Sequence, residues 1–108
     1  MKFFKEELLN NDYIESFLND IVREAWAAVS EDGYGFEEAS WRSTECWLYD
    51  NSDELPILIQ HYVDEFKNID LANIPHVEED DDLWMDVVDK LANDVYKKLK
   101  LILKNRRN

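Results

Sequence analysis

Apolar side chains recur at helical spacing over most of the chain. Between Asp12 and Val29 they fall at Ile14, Phe17, Leu18, Ile21, Val22, Ala25, Trp26 and Val29. Steps of three and four residues put these positions on one stripe of a helix. Asp12 followed by Glu15 predicts a capping-box start, with Asp replacing the usual Ser or Thr. Asp32-Gly33 and then Gly35 predict the end, because glycine accepts the left-handed turn that closes a helix. Phe3, Phe4, Leu8 and Leu9 predict a short helical turn ahead of this segment. A second stripe, Leu55, Leu58, Ile59, Tyr62, Val63 and Phe66, predicts a helix capped by Ser52 or Asp53. Pro56 falls in its first turn, where a missing N–H costs little. A third stripe runs through Leu83, Trp84, Val87, Val88, Leu91, Val95, Leu99 and Ile102. It predicts a helix from Glu79–Asp82 to Lys104, about 35–38 Å long at about 1.5 Å per residue.

Glu37 to Tyr49 is less regular. Read as a helix, it turns Ala39, Trp47 and Leu48 inward; Cys46-Trp47-Leu48-Tyr49 fits a short strand equally well. Helix is favoured because no good second strand is visible to pair with it. Asn73-Ile74-Pro75 reads as a connection. The chain holds two Gly and two Pro, so few positions interrupt the periodic segments. The expected fold is all-α: one domain over residues 1–108, a bundle of about four helices with the long C-terminal helix as its spine. No internal repeat or interdomain linker is visible.

Charge sharpens this picture. The 108 residues include 12 Lys+Arg and 25 Asp+Glu, for a net charge of −13. The sequence pI is about 4.4. Residues 6–89 hold 24 of the acids against Arg23, Arg42 and Lys67. Residues 90–108 reverse the sign, with seven bases and one acid, Asp94. The body is therefore more acidic than the total implies. Many weak repulsions of that kind accumulate against a folding stability of about 5–15 kcal/mol. One use of such a surface is solubility; the other is to meet a cationic partner.

Several classes are excluded on composition. Five Phe, five Tyr and four Trp supply a core that a disordered acidic tail lacks. The acidity argues against direct nucleic-acid binding. No apolar run of about 18 residues exists to span a membrane. Met1-Lys2-Phe3-Phe4-Lys5-Glu6-Glu7 does not read as a secretory leader, and a single Cys forms no internal disulfide. A cytoplasmic location is expected: the host-cell cytoplasm, for a phage-encoded chain.

Candidate chemistry is sparse. Cys46, His61 and His76 are the nucleophile and base candidates. Catalysis would need a Cys–His contact and an orienting third group. His61 lies between core-facing Leu58 and Tyr62, and the simpler expectation is a small buried Cys and two ordinary His. Glu78 to Asp82 lacks the glycine and alternating spacing of a calcium loop, and reads as a solvated helix start. Two His and one Cys do not suit a zinc site. No catalytic residue, metal or cofactor is assigned. Lys97, Lys98, Lys100, Lys104, Arg106 and Arg107 suit a helix C-terminus answering its own dipole. Trp26 and Trp84 lie on apolar stripes and are expected in the core. Trp41, beside Arg42 and outside a clean stripe, is a candidate binding aromatic.

The acids themselves fall into rows. Asp82, Asp86 and Asp89 are spaced i, i+4 and i+7, while Asp20, Glu24 and Glu31 lie near one line of the first helix. Neighbours of this kind are about 6 Å apart, close to the separation of phosphates along one DNA strand. Asp82-Leu83-Trp84-Met85-Asp86-Val87-Val88-Asp89-Lys90-Leu91 resembles the acidic late-helix segment of the phage overcome-classical-restriction proteins. Those are small acidic helical dimers that imitate bent duplex DNA and block restriction enzymes. The resemblance implies Asp82, Asp86 and Asp89 as phosphate surrogates and leaves a homodimer open. The basic C-terminal end departs from that family. The leading expectation is a non-enzymatic inhibitor that imitates nucleic acid and fills the DNA groove of a restriction or CRISPR-type enzyme. Asp20, Glu24, Glu31, Asp82, Asp86, Asp89 and Trp41 are its candidate contacts with a basic DNA-binding protein or nuclease. An immunity protein for a nuclease toxin and a plain helical adaptor are the alternatives.

Overall fold

The apolar stripes become four α-helices in the computed structural model, which describes residues 2–106, with side chains described over 13–105. In chain order these are α1 (Lys2–Asp32), α2 (Phe36–Asp50), α3 (Leu55–Tyr62) and α4 (Asp82–Arg106). Short 3₁₀ turns at Ser52–Glu54, Asp64–Phe66 and Leu71–Asn73 join them, and no strand occurs among the described residues. The all-α fold with a long C-terminal helix is as expected. Cys46 to Tyr49 is helical.

Three boundaries differ from the sequence reading. Asp12 does not begin a helix: α1 runs through it from Lys2 without a break. No Gly or Pro interrupts residues 2–32, and an Asp inside a helix costs only about 0.7 kcal/mol relative to Ala. Glu15 accordingly reaches outward to Lys98 at 2.8 Å instead of back to a cap. The side chains of Phe3, Phe4, Leu8 and Leu9 lie outside the described residues. Neither Ser52 nor Asp53 caps α3 with its side chain; both lie in the 3₁₀ turn that leads into it. α3 also stops at Tyr62, four residues short of Phe66, because Val63 turns extended (φ −107°, ψ 114°). In that conformation Val63 is buried at 7% exposure.

Gly33 ends α1 with φ 75°, and Tyr34 donates its N–H to the Ala28 carbonyl at 3.3 Å. The tight turn folds α2 back beside α1. α2 then packs against both α1 and α4, while α3 packs on α4. α2 and α4 run antiparallel: Tyr49, late in α2, meets Asp80 just before α4, and the earlier Trp41 meets the later Asp89.

The buried residues form one cluster between the helices. Ile21 of α1, Leu48 of α2, Leu58 and Ile59 of α3, and Val87, Val88, Leu91, Val95 and Leu99 of α4 are fully buried. Each such side chain contributes about 1.5–3 kcal/mol by leaving water. Trp84 is buried as expected, whereas Trp26 is half-buried against the rim of the core. No described helix is long and apolar enough to cross a membrane.

A candidate partner-binding face centred on α2

α2 is the helix through which the acids of α1 and α4 are brought together. It buries Ala39, Ser40, Thr44 and Leu48. Helical spacing then puts Glu38, Arg42, Glu45 and Tyr49 on the opposite, outward crest, at i, i+4, i+7 and i+11. Two flanks remain. One faces α1 and carries Ser43, Cys46 and Asp50; the other faces α4 and carries Glu37 and Trp41.

A depression of about 530 Å³ lies along the α1 flank. Asp20 and Glu24 of α1 and Asp50 of α2 supply its carboxylates, with Trp47 and Tyr34 among its aromatic lining. Arg23 and Arg42 also line it. Arg42 is held back by its own helix, with its guanidinium 3.4 Å from Glu38 and 5.0 Å from the centre of the Tyr34 ring. On the α4 flank a smaller depression of about 240 Å³ is lined by Glu37 and Asp89, with Ser40, Ala92, Asn93 and Tyr96. A shallow saddle of about 390 Å³ over the crest, lined by Glu38, Trp41, Arg42, Glu45 and Cys46, joins the two. It shares Arg42 and Cys46 with the first, and Trp41 crosses to the second by donating its indole N–H to Asp89 at 3.2 Å.

The seven candidate residues therefore separate. Asp20 and Glu24 share one depression, and Asp89 and Trp41 are bonded across the other. Asp86 is half-buried and paired with Lys90 at 3.2 Å. Lys90 also donates to the Tyr62 carbonyl at 3.0 Å, which holds this pair on the α3 side of α4. Asp82 and Glu31 are exposed at the start of α4 and the end of α1, and neither lines a depression of the α2 face. The row Asp82, Asp86 and Asp89 thus straddles the crest of α4.

The sequence reading passed over Glu37, Glu38, Glu45 and Asp50. For Glu38 and Glu45 the signal was present in the i, i+4, i+7, i+11 spacing of Glu38, Arg42, Glu45 and Tyr49, but it has meaning only once α2 is helical. Cys46 is a correction: it is exposed, not a small buried side chain. It stands on the α1 flank of α2, where the core does not reach. No His lines the depressions that hold it, so the site contains no Cys–His pair.

Electrostatically the face is poorly neutralised. Among the described residues only Glu15, Glu38, Asp64 and Asp86 have a Lys or Arg within ion-pair distance. Two tyrosines tie acids to the core instead. Tyr49 donates to Asp80 at 2.8 Å, and Tyr62 donates to Asp94 at 2.7 Å. The bond to Asp80, with lesser help from burial and from neighbouring acids, pushes the Tyr49 phenol up to about 12. Burial first, then the bond to Asp94, raises the Tyr62 phenol as well. No group of three or more His, Cys, Asp or Glu among the described residues is arranged to hold a metal ion. Such a face has the means to attract and seat cations by field and contact. Comparison with protein families, curated proteins and solved structures finds no match to this chain.

Proposed function

We propose that the protein is a non-enzymatic inhibitor that imitates nucleic acid and occupies the basic DNA-binding groove of a DNA-handling defence enzyme, of restriction or CRISPR type. The observation that carries this reading is the continuity of carboxylates around α2. Asp20, Glu24 and Asp50 on one flank, Glu38 and Glu45 on the crest, and Glu37 and Asp89 on the other flank stand on three packed helices. Packed helices lie about 8–10 Å apart, and residues one turn apart along a helix about 6 Å. General helix geometry would thus set carboxylates at separations comparable to those of duplex phosphates, with Arg23 and Arg42 interspersed on the α1 flank. Because the helices are held by a common core, little ordering is required on binding. Inhibition follows from exclusion: a groove filled by carboxylates cannot take DNA.

Affinity built this way falls with salt, as phosphate contacts do. The test is to immobilise the protein, load a bacterial lysate and elute with rising salt or with duplex DNA. Release of DNA-binding enzymes by both, and loss of capture by an Asp20→Lys/Glu24→Lys/Asp89→Lys variant of unchanged helicity, are expected. A partner that resists both eluants and binds the triple variant normally would sink the reading.

A second reading, immunity protein for a nuclease, is favoured by the aromatic residues among these acids. Trp41 is half-buried and Tyr49 is 36% exposed, both on α2. A single cognate nuclease anchored there should lose more affinity from Trp41→Ala than from any one acid. A mimic should lose affinity in small steps across many acids.

A further inference from the structure

A larger cavity lies outside the α2 face. The segment from Ile74 to Asp80 crosses the start of α3, and between them is a space of about 670 Å³. That is within the range of about 300–1,000 Å³ typical of ligand sites. Its floor is apolar and firm: Leu55, Ile59, Ile74 and Trp84 are all at most 9% exposed. Its rim is acidic, with Asp53, Glu78, Glu79 and Asp80 all exposed and no Lys or Arg in the lining. Two of these carboxylates are engaged, Asp80 by the Tyr49 hydroxyl and Glu78 by His76 at 3.3 Å. Asp53 and Glu79 have no partner among the described residues. Trp84, in the wall, is 1% exposed, and its indole N–H has no acceptor among the described residues.

We propose that this cavity is a docking site for an arginine-bearing segment of a partner protein. The choice follows from charge complementarity over an apolar floor. An aliphatic or aromatic occupant would leave the carboxylates unanswered, and a phosphate would be repelled by them. An arginine meets both demands, laying its stem on Leu55, Ile59 and Ile74 while its planar fork reaches the free carboxylates of Asp53 and Glu79. The site stands apart from the α2 reading because it uses different acids and a different pair of elements.

The test uses the full chain, ¹⁵N-labelled, at physiological salt. The probes are acetyl-Leu-Arg-Leu-amide and the same peptide with citrulline, the neutral isostere, in place of arginine. The arginine peptide is expected to shift the Trp84 indole signal and the amides of residues 53–59 and 74–80. Asp53→Asn/Glu79→Gln alters exposed side chains and is expected to fold normally. Loss of the charges, in the protein or in the probe, should weaken binding about three- to tenfold. The Asp20→Lys/Glu24→Lys/Asp89→Lys variant should bind the peptide as the unmodified chain does, whatever its effect on enzyme capture. Equal binding of the citrulline peptide would overturn the proposal. So would unchanged affinity in Asp53→Asn/Glu79→Gln, shifts confined to the α2 face, or no shift at millimolar peptide.

Discussion

The two halves of α4 share one apolar stripe and differ in the balance of charge outside it. In the first half the stripe is Trp84, Val87, Val88 and Leu91, and the residues around it are Asp82, Asp86 and Asp89. α2 lies alongside, joined through Trp41 to Asp89 and Tyr49 to Asp80. In the second half Val95 and Leu99 continue the stripe, but the outer residues are Lys97, Lys100 and Lys104, and Leu101 is 57% exposed. Lys98 leaves the basic row to pair with Glu15 of α1, and Lys100 lies 4.9 Å from the Tyr96 ring centre. Burial is thus set by the stripe, which is continuous, while the outer surface is free to carry either sign. The change from acid to base along the chain runs in the sense that opposes the helix dipole at each end. It also leaves the acidic half, beside α2, as the end that can meet a cation.

The comparison breaks first at the stripe. Trp84→Ala removes the largest fully buried side chain and should cost about 3–5 kcal/mol in urea unfolding. Leu101→Ala, on the same helix and exposed, should stay within about 0.5 kcal/mol. Similar losses from the two would show that the second half packs more tightly than its exposure indicates.

The next effect separates the two tyrosine bonds. Tyr62→Phe strips a half-buried carboxylate, Asp94, of its donor, and should cost about 1–3 kcal/mol at neutral pH. Tyr49→Phe breaks a bond in solvent and should cost much less. Both phenols are raised, so the folded state holds their protons more tightly than the unfolded chain does. Their contribution is complete below the ordinary value of 10.0 and is lost as pH climbs through the folded value, about 12 for Tyr49. Absorbance at the phenolate band should therefore lose a titration near pH 12 in Tyr49→Phe. A Tyr49 titration unchanged from 10 in the native chain would count against the Asp80 bond.

The smallest effect concerns His61. Its ring meets Tyr62 edge-on at 4.7 Å, and desolvation lowers its pKa, outweighing the opposite pull of Asp94. The unfolded chain then binds the proton more readily, so this group's contribution is present above its ordinary value of 6.5 and is lost as pH falls through the folded value. His61→Gln should flatten that part of the stability profile. A steeper acid loss in His61→Gln than in the native chain would reverse the sign of this assignment.

Legibility in the sequence followed the range of the interactions involved. The stripes of α1 and α4 were readable because apolar spacing is a local property of the chain. The continuity of α1 through Asp12 was not, since a capping residue stops a helix only when the preceding turn gains more elsewhere. Val63 shows the reverse case: it continues the apolar pattern of α3 and is buried, yet its backbone is extended and the helix ends before it. Cys46 looked like core because α2 was ambiguous, and two residues, about 200° of helical azimuth, separate its exposed position from the buried Leu48.

The sequence by itself determined the class of fold, the excess of acid in residues 6–89 and its reversal at the C-terminal end. These depend on composition and on contacts between near neighbours. Only the tertiary structure decided which acids share a face. Asp20 and Glu24 join Glu37, Glu38, Glu45, Asp50 and Asp89 around α2, while Asp86 is drawn to the α3 side by Lys90 and Glu31 is left at the end of α1. The physical reason is that helical periodicity fixes angles within one helix, whereas the rotation of each helix about its axis is fixed by the common core it must bury.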